Sequence, residues 1–498
     1  MVNRREFIAG AAACAGLPLV TGGSSPVVCC TGARRLRLGV LSDLHIHTPR
    51  TAETFEHALR VFDAERADAV VVCGDLSDHG VRPELSLVAE TWRRVFPQDR
   101  RSDGEPIVRL FIYGDHDTGL NPKTLERVYP DAGFRAREDI PTHDRKAIWE
   151  ETFGEPWEPV QIKFVKGVPF VLYHFNCTDA HGDSSHWAYG QHAWGLPEFL
   201  AAHEGELKAA SPFFYVQHRV MRNTAGGAVI WGQDDGFSTK ALSAWPNAVA
   251  LFGHAHMTAV DERLAWQGAF TAIEVPSLSY CVTECGRENG FALDDADFRE
   301  ADEVRPVRQM AKIDAGTGHR AVSRQGYVMD VFDDGLCVSR RCFLSDRALG
   351  PDWRIPLDCA SPESFRPPVR ARRCGSPEFP SGAAAEAVRQ RGTDRAGRET
   401  DQIVVTAPVA HERESGIRAY DYEVQPVVTK GLVRRAALAK RVYPPDILQA
   451  GDSAASVTCV FAEQELPSDR DEVAFVITPI SAFGVRGRSL TVKMNNRK

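Results

Sequence analysis

The sequence predicts an α/β fold followed by a smaller all-β region. In the first part of the chain, short apolar runs alternate with amphipathic helices, a pattern typical of a sheet covered by helices. In the last part, short β-patterned segments are separated by turn residues, as in a small sandwich. Because 498 residues are too many for one ordinary core, two or three domains are expected.

The strands and helices of the predicted α/β region begin at Leu36. An apolar strand over 36–41 precedes an amphipathic helix over about 51–67, and a fully apolar strand follows at 69–73. A second amphipathic helix begins after Pro83 and leads to a strand over 107–113. Further apolar runs predict strands at 170–173, 213–216, 248–252, 269–273 and within 326–357. In such folds the site lies at the carboxyl ends of the strands.

The chain divides into four predicted segments. Residues 1–33 are predicted to be a signal peptide and short tail, 34–360 the α/β domain, 361–379 a linker and 380–498 the β-sandwich. The linker is rich in Pro and Arg. Its arginines at 370–373 are interpreted as solvated, with a binding patch as the alternative.

The first residues predict export from the cytoplasm. Arg4 and Arg5, with Phe7 two residues after the pair, match the twin-arginine export pattern. The weakly apolar stretch Ala9–Val20 is shorter than the about 20 residues that span a bilayer, so it predicts a processed signal. We therefore expect a periplasmic or extracellular protein without a transmembrane segment.

Charge and cysteine content narrow the classes of function. A net charge of −8 gives no support for binding to nucleic acid or anionic membranes. The chain has no C-x-x-C pair, so a structural zinc site is not expected. The pairs Cys281–Cys285 and Cys337–Cys342 are candidates for local disulfides, which spacing alone does not establish. Cys73 lies in an apolar strand and is predicted to be a buried thiol.

Five short motifs place metal-ligand residues directly after apolar strands. They are D-L-H with Asp43 and His45, G-D-L-S-D with Asp75 and Asp78, G-D-H-D with Asp115 and His116, Q-H-R with His218, and G-H-A-H with His254 and His256. In D-x-H and H-x-H the ligands stand at i and i+2, so both project the same way from extended backbone. Mixed carboxylate and imidazole ligation suits Zn, Mn, Fe or Co rather than Ca. Five motifs in this order predict a hydrolytic centre with two divalent metal ions.

This ordered set resembles the calcineurin-like metallophosphoesterase superfamily, whose pattern is D-x-H, G-D-x-x-D, G-N-H-[DE], H and G-H-x-H. The resemblance spans about residues 36–357 and implies a four-layer α/β/β/α sandwich. It implies that the first metal is bound by Asp43, His45 and His256, and the second by Asp115, His218 and His254. Asp75 would bridge the two metals. It also implies that His116 lies beside the scissile phosphate and that Asp78 orients this histidine.

Asp115 departs from the family pattern, which has Asn at this position. The Asn binds the second metal through its carbonyl oxygen while its amide donates towards phosphate, whereas an ionised Asp has no donor. We therefore expect tighter metal binding and weaker attraction of phosphate. His79 and Arg219 adjoin predicted site residues and are candidates for contact with phosphate.

Together these features predict an exported dinuclear-metal phosphoesterase that hydrolyses phosphomonoesters or phosphodiesters by in-line attack of a metal-bridging hydroxide. The alternative is a metal-stabilised binding or scaffold protein of the cell envelope, whose catalytic role has lapsed through Asp115. The segments Tyr420–Val424 and Ile477–Gly484 resemble strands of a fibronectin type III module. Such a module suits an envelope or glycan partner, and no specific nucleic acid partner is expected.

Overall fold

The computed structural model describes residues 29–118, 141–175, 195–226, 230, 232–284, 287–289, 324–393, 398–412, 415–445, 447 and 455–494. Within them, a mixed α/β architecture is followed by an all-β region, which confirms the predicted fold class. The predicted export signal and Cys285 lie outside the described residues. Of the helices in these ranges, none has both the length and the apolar character that a membrane crossing requires.

The described part of the α/β region contains two sheets. Their strands are β1 (Leu36–Leu41), β2 (Ala69–Val72), β3 (Val108–Phe111), β4 (Val160–Val165), β5 (Val168–Tyr173), β6 (Phe213–Val216), β7 (Ala248–Phe252), β8 (Ala265–Gln267), β9 (Thr271–Glu274), β10 (Gln325–Val331), β11 (Gly335–Cys342), β12 (Arg347–Ala348) and β13 (Trp353–Pro356). The accompanying helices are α1 (Pro49–Ala64), α2 (Arg82–Val95), α3 (Pro141–Phe153), α4 (Leu196–Ala202), α5 (Glu204–Ala209) and α6 (Phe237–Leu242).

Both sheets have a parallel centre. The first sheet has the order β12-β11-β10-β1-β2-β3, with β13 also beside β11; β1, β2 and β3 are parallel, and β10 runs antiparallel to β1. The second sheet has the order β4-β5-β6-β7-β9-β8, in which β5, β6, β7 and β9 are parallel. In each sheet the parallel strands therefore present their carboxyl ends at one edge, where loops can carry a site.

The alternation of side chains along β2 explains the layering. Ala69 and Val71 lie in the core between the two sheets, whereas Val70 and Val72 lie in the core beneath α1 and α2. On the far side, Leu196 of α4 and the other buried leucines of α5 and α6 pack onto the second sheet. The layers are therefore helix, sheet, sheet and helix, as the family resemblance implies.

In helix α1, the local sequence explains both where the helix begins and which face is buried. Thr48 and Thr51 form a capping box at its start, where Thr48 Oγ1 accepts a hydrogen bond from the Thr51 amide at 3.3 Å. Its buried face contains Phe55, Leu59 and Phe62, which are the residues that the helical spacing predicts. The helix therefore covers the first sheet with the face that the sequence pattern selects.

The described residues after 366 form one α-helix, a short 3-10 helix (Glu463–Glu465) and antiparallel strands. These elements are α7 (Pro367–Cys374), β14 (Pro377–Glu378), β15 (Glu386–Thr393), β16 (Glu399–Pro408), β17 (His411–Glu412), β18 (Asp421–Lys430), β19 (Val433–Ala436), β20 (Lys440–Val442), β21 (Ser456–Ala462), β22 (Glu472–Ile480) and β23 (Leu490–Lys493). A sheet of order β15-β16-β21 and a sheet of order β19-β18-β22-β23, with β20 beside β18, enclose one core. In this core Phe461 of β21 packs against Phe475 of β22, with the ring centroids 5.3 Å apart and the ring planes tilted by 39°.

A buried ion cluster lies between this region and the α/β region. Arg370 of α7 is 6% exposed and contacts the Glu262 carboxylate. Glu262 also lies 2.7 Å from Arg340 Nη1 and accepts a hydrogen bond from Trp353 Nε1 at 2.8 Å. Arg372 is exposed, but the interpretation of this segment's arginines as solvated is wrong for Arg370, because its charge compensates a carboxylate in the interior.

The cysteines correct one expectation and confirm another. Cys337 and Cys342 are both free thiols on β11. Residues five apart on a strand lie on opposite faces and about 16 Å apart, so these two cannot form the predicted disulfide. Cys73 is fully buried, as predicted. Cys281 is also buried, and Cys285, its partner in the other candidate pair, lies outside the described residues.

Replacing Glu262 by Ala is expected to lower the free energy of unfolding by about 3–5 kcal/mol, because it leaves two buried guanidinium groups without their carboxylate. Urea denaturation of the full chain measures this loss. Glu56→Ala is the control, since its partners Arg60 and Arg94 are 60% and 56% exposed. It should cost no more than about 1 kcal/mol, and equal losses in the two variants would contradict the expectation.

Candidate metal centre

The predicted ligands lie on loops at the carboxyl ends of five parallel strands. Two ligands follow β1, one follows β2, one follows β3, one follows β6 and two follow β7. The first three strands belong to one sheet and the last two to the other. The site therefore lies across the edge where the two sheets meet, and neither sheet alone contains it.

The first cluster contains Asp43, His45, Asp75 and His256, whose ligand atoms lie within 4.8 Å of one another. His256 Nε2 is 3.0 Å from Asp43 Oδ1 and 3.2 Å from His45 Nε2. His45 Nε2 is 3.7 Å from Asp75 Oδ2. These are the residues that the family resemblance assigns to one metal.

The second cluster contains Asp75, Asp115, His218 and His254, also within 4.8 Å. His218 Nε2 is 2.8 Å from Asp115 Oδ1 and 3.3 Å from Asp75 Oδ2. His254 Nδ1 is 3.2 Å from Asp115 Oδ1 and 3.2 Å from His218 Nε2. The structure thus places all seven predicted ligands in two groups that share Asp75.

The donor chemistry of these clusters fits metal ions. His218 Nδ1 donates to the Cys73 carbonyl at 2.7 Å and His256 Nδ1 donates to the Tyr280 carbonyl at 3.0 Å. These hydrogen bonds fix the orientation of each ring and direct its Nε2 to the cluster. Although burial opposes it, Asp75 and Asp115 raise the pKa of His218, so a metal ion that binds there would displace the proton from Nε2.

Imidazoles of the centre oppose the effect of burial on the pKa of two of its carboxylates, Asp43 and Asp115. Burial by itself would raise the pKa of Asp43, but His256 and other imidazoles lower it below its usual range. In the same way, His254 and His218 lower the pKa of Asp115 despite its burial. Buried negative charge of this kind requires compensating cations.

The backbone at the ligands is unusual. Asp43, His45, Asp75, His254 and His256 all have left-handed backbone, with φ between 46° and 73°. Such a conformation costs of order 1–3 kcal/mol for each residue that is not glycine, and it clusters at functional sites. The packed sheets below must therefore stabilise loops that hold these side chains in place.

Three glycines allow the main chain to approach the predicted ligands closely. Gly74 has φ of 94°, and a Cβ atom there would lie 2.5 Å from His218 Nδ1. A Cβ atom on Gly114 would overlap Asp75 Oδ1, and one on Gly253 would overlap Asp43 Oδ2. Any larger residue at these positions would displace a ligand.

The structure changes the role expected of Asp78. Its Oδ1 lies 2.9 Å from His45 Nδ1, but 3.8 Å from His116 Nδ1. His116 Nδ1 instead donates to the Asp78 backbone carbonyl at 2.7 Å. The side chain of Asp78 therefore orients a predicted metal ligand, and its main chain orients His116. Asp78 thus contacts both histidines, and it is its main chain rather than its carboxylate that accepts the hydrogen bond from His116.

His116 lies at the rim of the centre and in neither metal cluster. Its side chain is 25% exposed, and its ring meets that of His45 edge to face at 4.6 Å. Burial favours the neutral ring, but the carboxylates of Asp75 and Asp115 raise the pKa of His116 to about 9. The ring is thus placed to hold a proton beside the two clusters.

The sequence analysis missed the role of Asp117. Its carboxylate accepts hydrogen bonds from the amides of Leu76, Ser77 and Gly114, at 2.8–2.9 Å. It therefore ties the loop after β2 to the loop after β3. Burial, together with Asp75, raises the pKa of Asp117 to about 7. The acidic final position of the third family motif is the signal that could have revealed this role.

Comparison with protein families gives a match over the segment that contains the site. The model of the family described as calcineurin-like phosphoesterase matches residues 36–257. No curated protein matches the chain.

Solved structures with similarity include a dimetal phosphatase from Danio rerio, with 10% identity, a TM-score of 0.37, and coverage of 65% of this chain and 100% of that chain. GAP50, the anchor in the inner membrane complex of Plasmodium, is 10% identical with a TM-score of 0.34, and the match covers 65% of this chain and 88% of GAP50. Vps29 from Entamoeba histolytica, complexed with zinc, is 9% identical with a TM-score of 0.28, and the match covers 65% of this chain and 99% of Vps29.

The family match and the predicted site residues occupy the same segment. Every one of these residues, from Asp43 to His256, lies inside the matched range. Residues 36–257 are therefore similar to the calcineurin-like phosphoesterase family, and the two ligand clusters lie within that segment.

Proposed function

We propose that this protein is a dinuclear-metal phosphoesterase that hydrolyses phosphomonoesters or phosphodiesters. The observation that carries the proposal is the pair of ligand clusters that share Asp75. Carboxylates and imidazoles in this mixture suit Zn, Mn, Fe or Co. Two divalent ions held there would lower the pKa of a water molecule and draw negative charge from the phosphoryl oxygens.

The residues around the clusters support a hydrolytic role. His116 Nδ1 is held by the Asp78 carbonyl, so its Nε2 is the nitrogen available to a substrate. Neighbouring carboxylates favour the protonated ring, which can donate a proton to the leaving oxygen or stabilise developing charge. Asp78 holds the ring of His45, a predicted ligand of the first cluster. That ring in turn packs against the ring of His116.

The second candidate function is a metal-stabilised scaffold protein, and Asp115 is the observation that favours it. This carboxylate adds negative charge where an anionic substrate must approach. However, its Oδ1 lies within 3.2 Å of both His218 and His254, as a working ligand would. Ligation at Asp115 fits both candidates, and we favour the hydrolase because His116 lies beside the clusters as a potential proton donor.

Export and a fibronectin type III-like module complete the proposal. Arg4, Arg5 and Phe7 support the twin-arginine route to the periplasm or exterior. Two antiparallel sheets around one core support the module, in which β18 pairs with β22 along most of its length. An envelope or glycan partner is the proposed ligand of this region.

Purified full-length protein is expected to contain about two metal equivalents and to hydrolyse aryl phosphate monoesters or diesters. Asp75→Asn should lose both metals, because both clusters use this residue. Asp333→Asn is the control, since that side chain is 84% exposed. Elemental analysis and a panel of aryl esters provide the measurements. Metal-replete protein that hydrolyses none of the panel would exclude the hydrolase and support the scaffold function.

His116→Gln and Asp78→Ala should separate the two roles that the geometry assigns. His116→Gln is expected to lower kcat by about 10²–10⁴-fold, because a positioned acid is lost, with unchanged metal content. Asp78→Ala is expected to weaken metal affinity by about 10–100-fold, because His45 loses its orienting partner. Steady-state kinetics and metal titration test both expectations. Loss of metal from the His116 variant would contradict its place outside the clusters.

Changing Arg4 and Arg5 to Lys is expected to retain the protein in the cytoplasm, because the export pathway recognises the arginine pair. Cell fractionation in a host with a twin-arginine translocase measures the distribution. The unchanged chain should appear in the periplasm or medium. Equal export of both proteins would remove the localisation proposal without affecting the proposed chemistry.

A further inference from the structure

The two oxygens of Asp115 have different surroundings. Oδ1 lies 2.8 Å from His218 Nε2 and 3.2 Å from His254 Nδ1, among the predicted ligands of the second metal. Oδ2 lies 3.5 Å from Arg219 Nη2. One oxygen of this carboxylate thus belongs to the metal cluster, and the other is directed to a cation.

This division shows what the departure from Asn changes. An Asn in the same orientation would place its carbonyl oxygen at Oδ1 and its amide nitrogen at Oδ2. The amide would supply N–H donors beside the second metal cluster, and the carboxylate supplies none. Asp115 therefore removes a donor and adds a negative charge at the same point.

Arg219 can offset both the lost donor and the added negative charge. It directly follows the predicted ligand His218, and its guanidinium lies over the Phe175 ring at 5.6 Å from the centroid. Its side chain is 14% exposed, so its charge acts at the edge of the buried centre. A guanidinium carries five N–H donors in a planar fork, so it can serve a carboxylate and a phosphoryl oxygen together.

We propose that Asp115 and Arg219 act as one unit that replaces the Asn of the family pattern. Asp115 ligates the second metal, while Arg219 offsets its charge and donates hydrogen bonds to the phosphoryl oxygens of the substrate. This inference rests on the proposed function, because it assigns a phosphate-binding residue to the same site. Its ligand is the phosphoryl group itself, whichever ester carries it.

A double-mutant cycle on the full-length, metal-loaded protein tests the unit. Arg219→Met is expected to weaken binding of inorganic phosphate, and to lower kcat/KM, by about 10–100-fold through loss of a charge-assisted hydrogen bond. Asp115→Asn should bind phosphate at least as tightly as the unchanged protein. The double variant should recover most of the loss, because no uncompensated carboxylate remains. Arg219→Lys should recover part of it, since the charge is kept but the planar fork is lost.

Two further measurements and a control variant distinguish phosphate binding from a structural role. Metal content and thermal unfolding of Arg219→Met should equal those of the unchanged protein. Arg222→Met is the control, because this arginine lies three residues further along and is exposed. It should alter neither phosphate affinity nor turnover.

Phosphate affinity, measured by titration calorimetry, does not depend on turnover. If the unchanged protein hydrolyses no ester but Arg219→Met loses phosphate affinity, the proposed function fails and this inference stands. Three results would overturn the inference itself. These are phosphate affinity unchanged in Arg219→Met, a double variant whose phosphate affinity is the sum of the two single effects, and loss of metal from Arg219→Met.

Discussion

The position of Asp75 constrains the rest of the structure, because one carboxylate must reach ligands from both sheets. Its Oδ2 lies 3.7 Å from His45 Nε2, on a loop of the first sheet, and 3.3 Å from His218 Nε2, on a loop of the second. This is possible only if the sheets stack with their carboxyl ends at the same edge. The apolar core between the sheets holds them in that arrangement.

The loops above that edge store strain that the core must offset. Five predicted ligands have left-handed backbone, and glycine at 114 and 253 allows main chain to approach Asp75 and Asp43. Asp117 joins the loops after β2 and β3 through three amide hydrogen bonds. A frame of this kind places several ligands within a few ångströms of one another, which is a condition for tight coordination.

Charge is the second determinant of the site. Burial opposes ionisation of Asp43 and Asp115, and neighbouring imidazoles overcome it. The extra carboxylate at Asp115 lies beside Arg219, so the family difference at this position involves two residues rather than one. At the junction with the all-β region, Glu262 is matched in the same way by Arg340 and Arg370. At both Asp115 and Glu262, the charge of a buried carboxylate is compensated by arginines that are distant in the sequence.

Much of this protein follows from its sequence. Apolar periodicity determined the strands and the buried faces of α1 and α2, and five ordered motifs determined which residues belong to the centre. Three details could not be read from spacing. The disulfide suggested for Cys337 and Cys342 fails because the strand places them on opposite faces. Arg370 is buried because Glu262, far away in the chain, lies against it.

The third detail concerns Asp78, whose carboxylate lies near His45 rather than His116. Local sequence determined which side chains follow each strand, because strand propensity and the alternation of apolar and polar residues can be read along the chain. Only the tertiary structure decided which atoms of those side chains meet. Such contacts depend on loop backbone angles and on the stacking of two sheets, which bring together residues more than 200 positions apart.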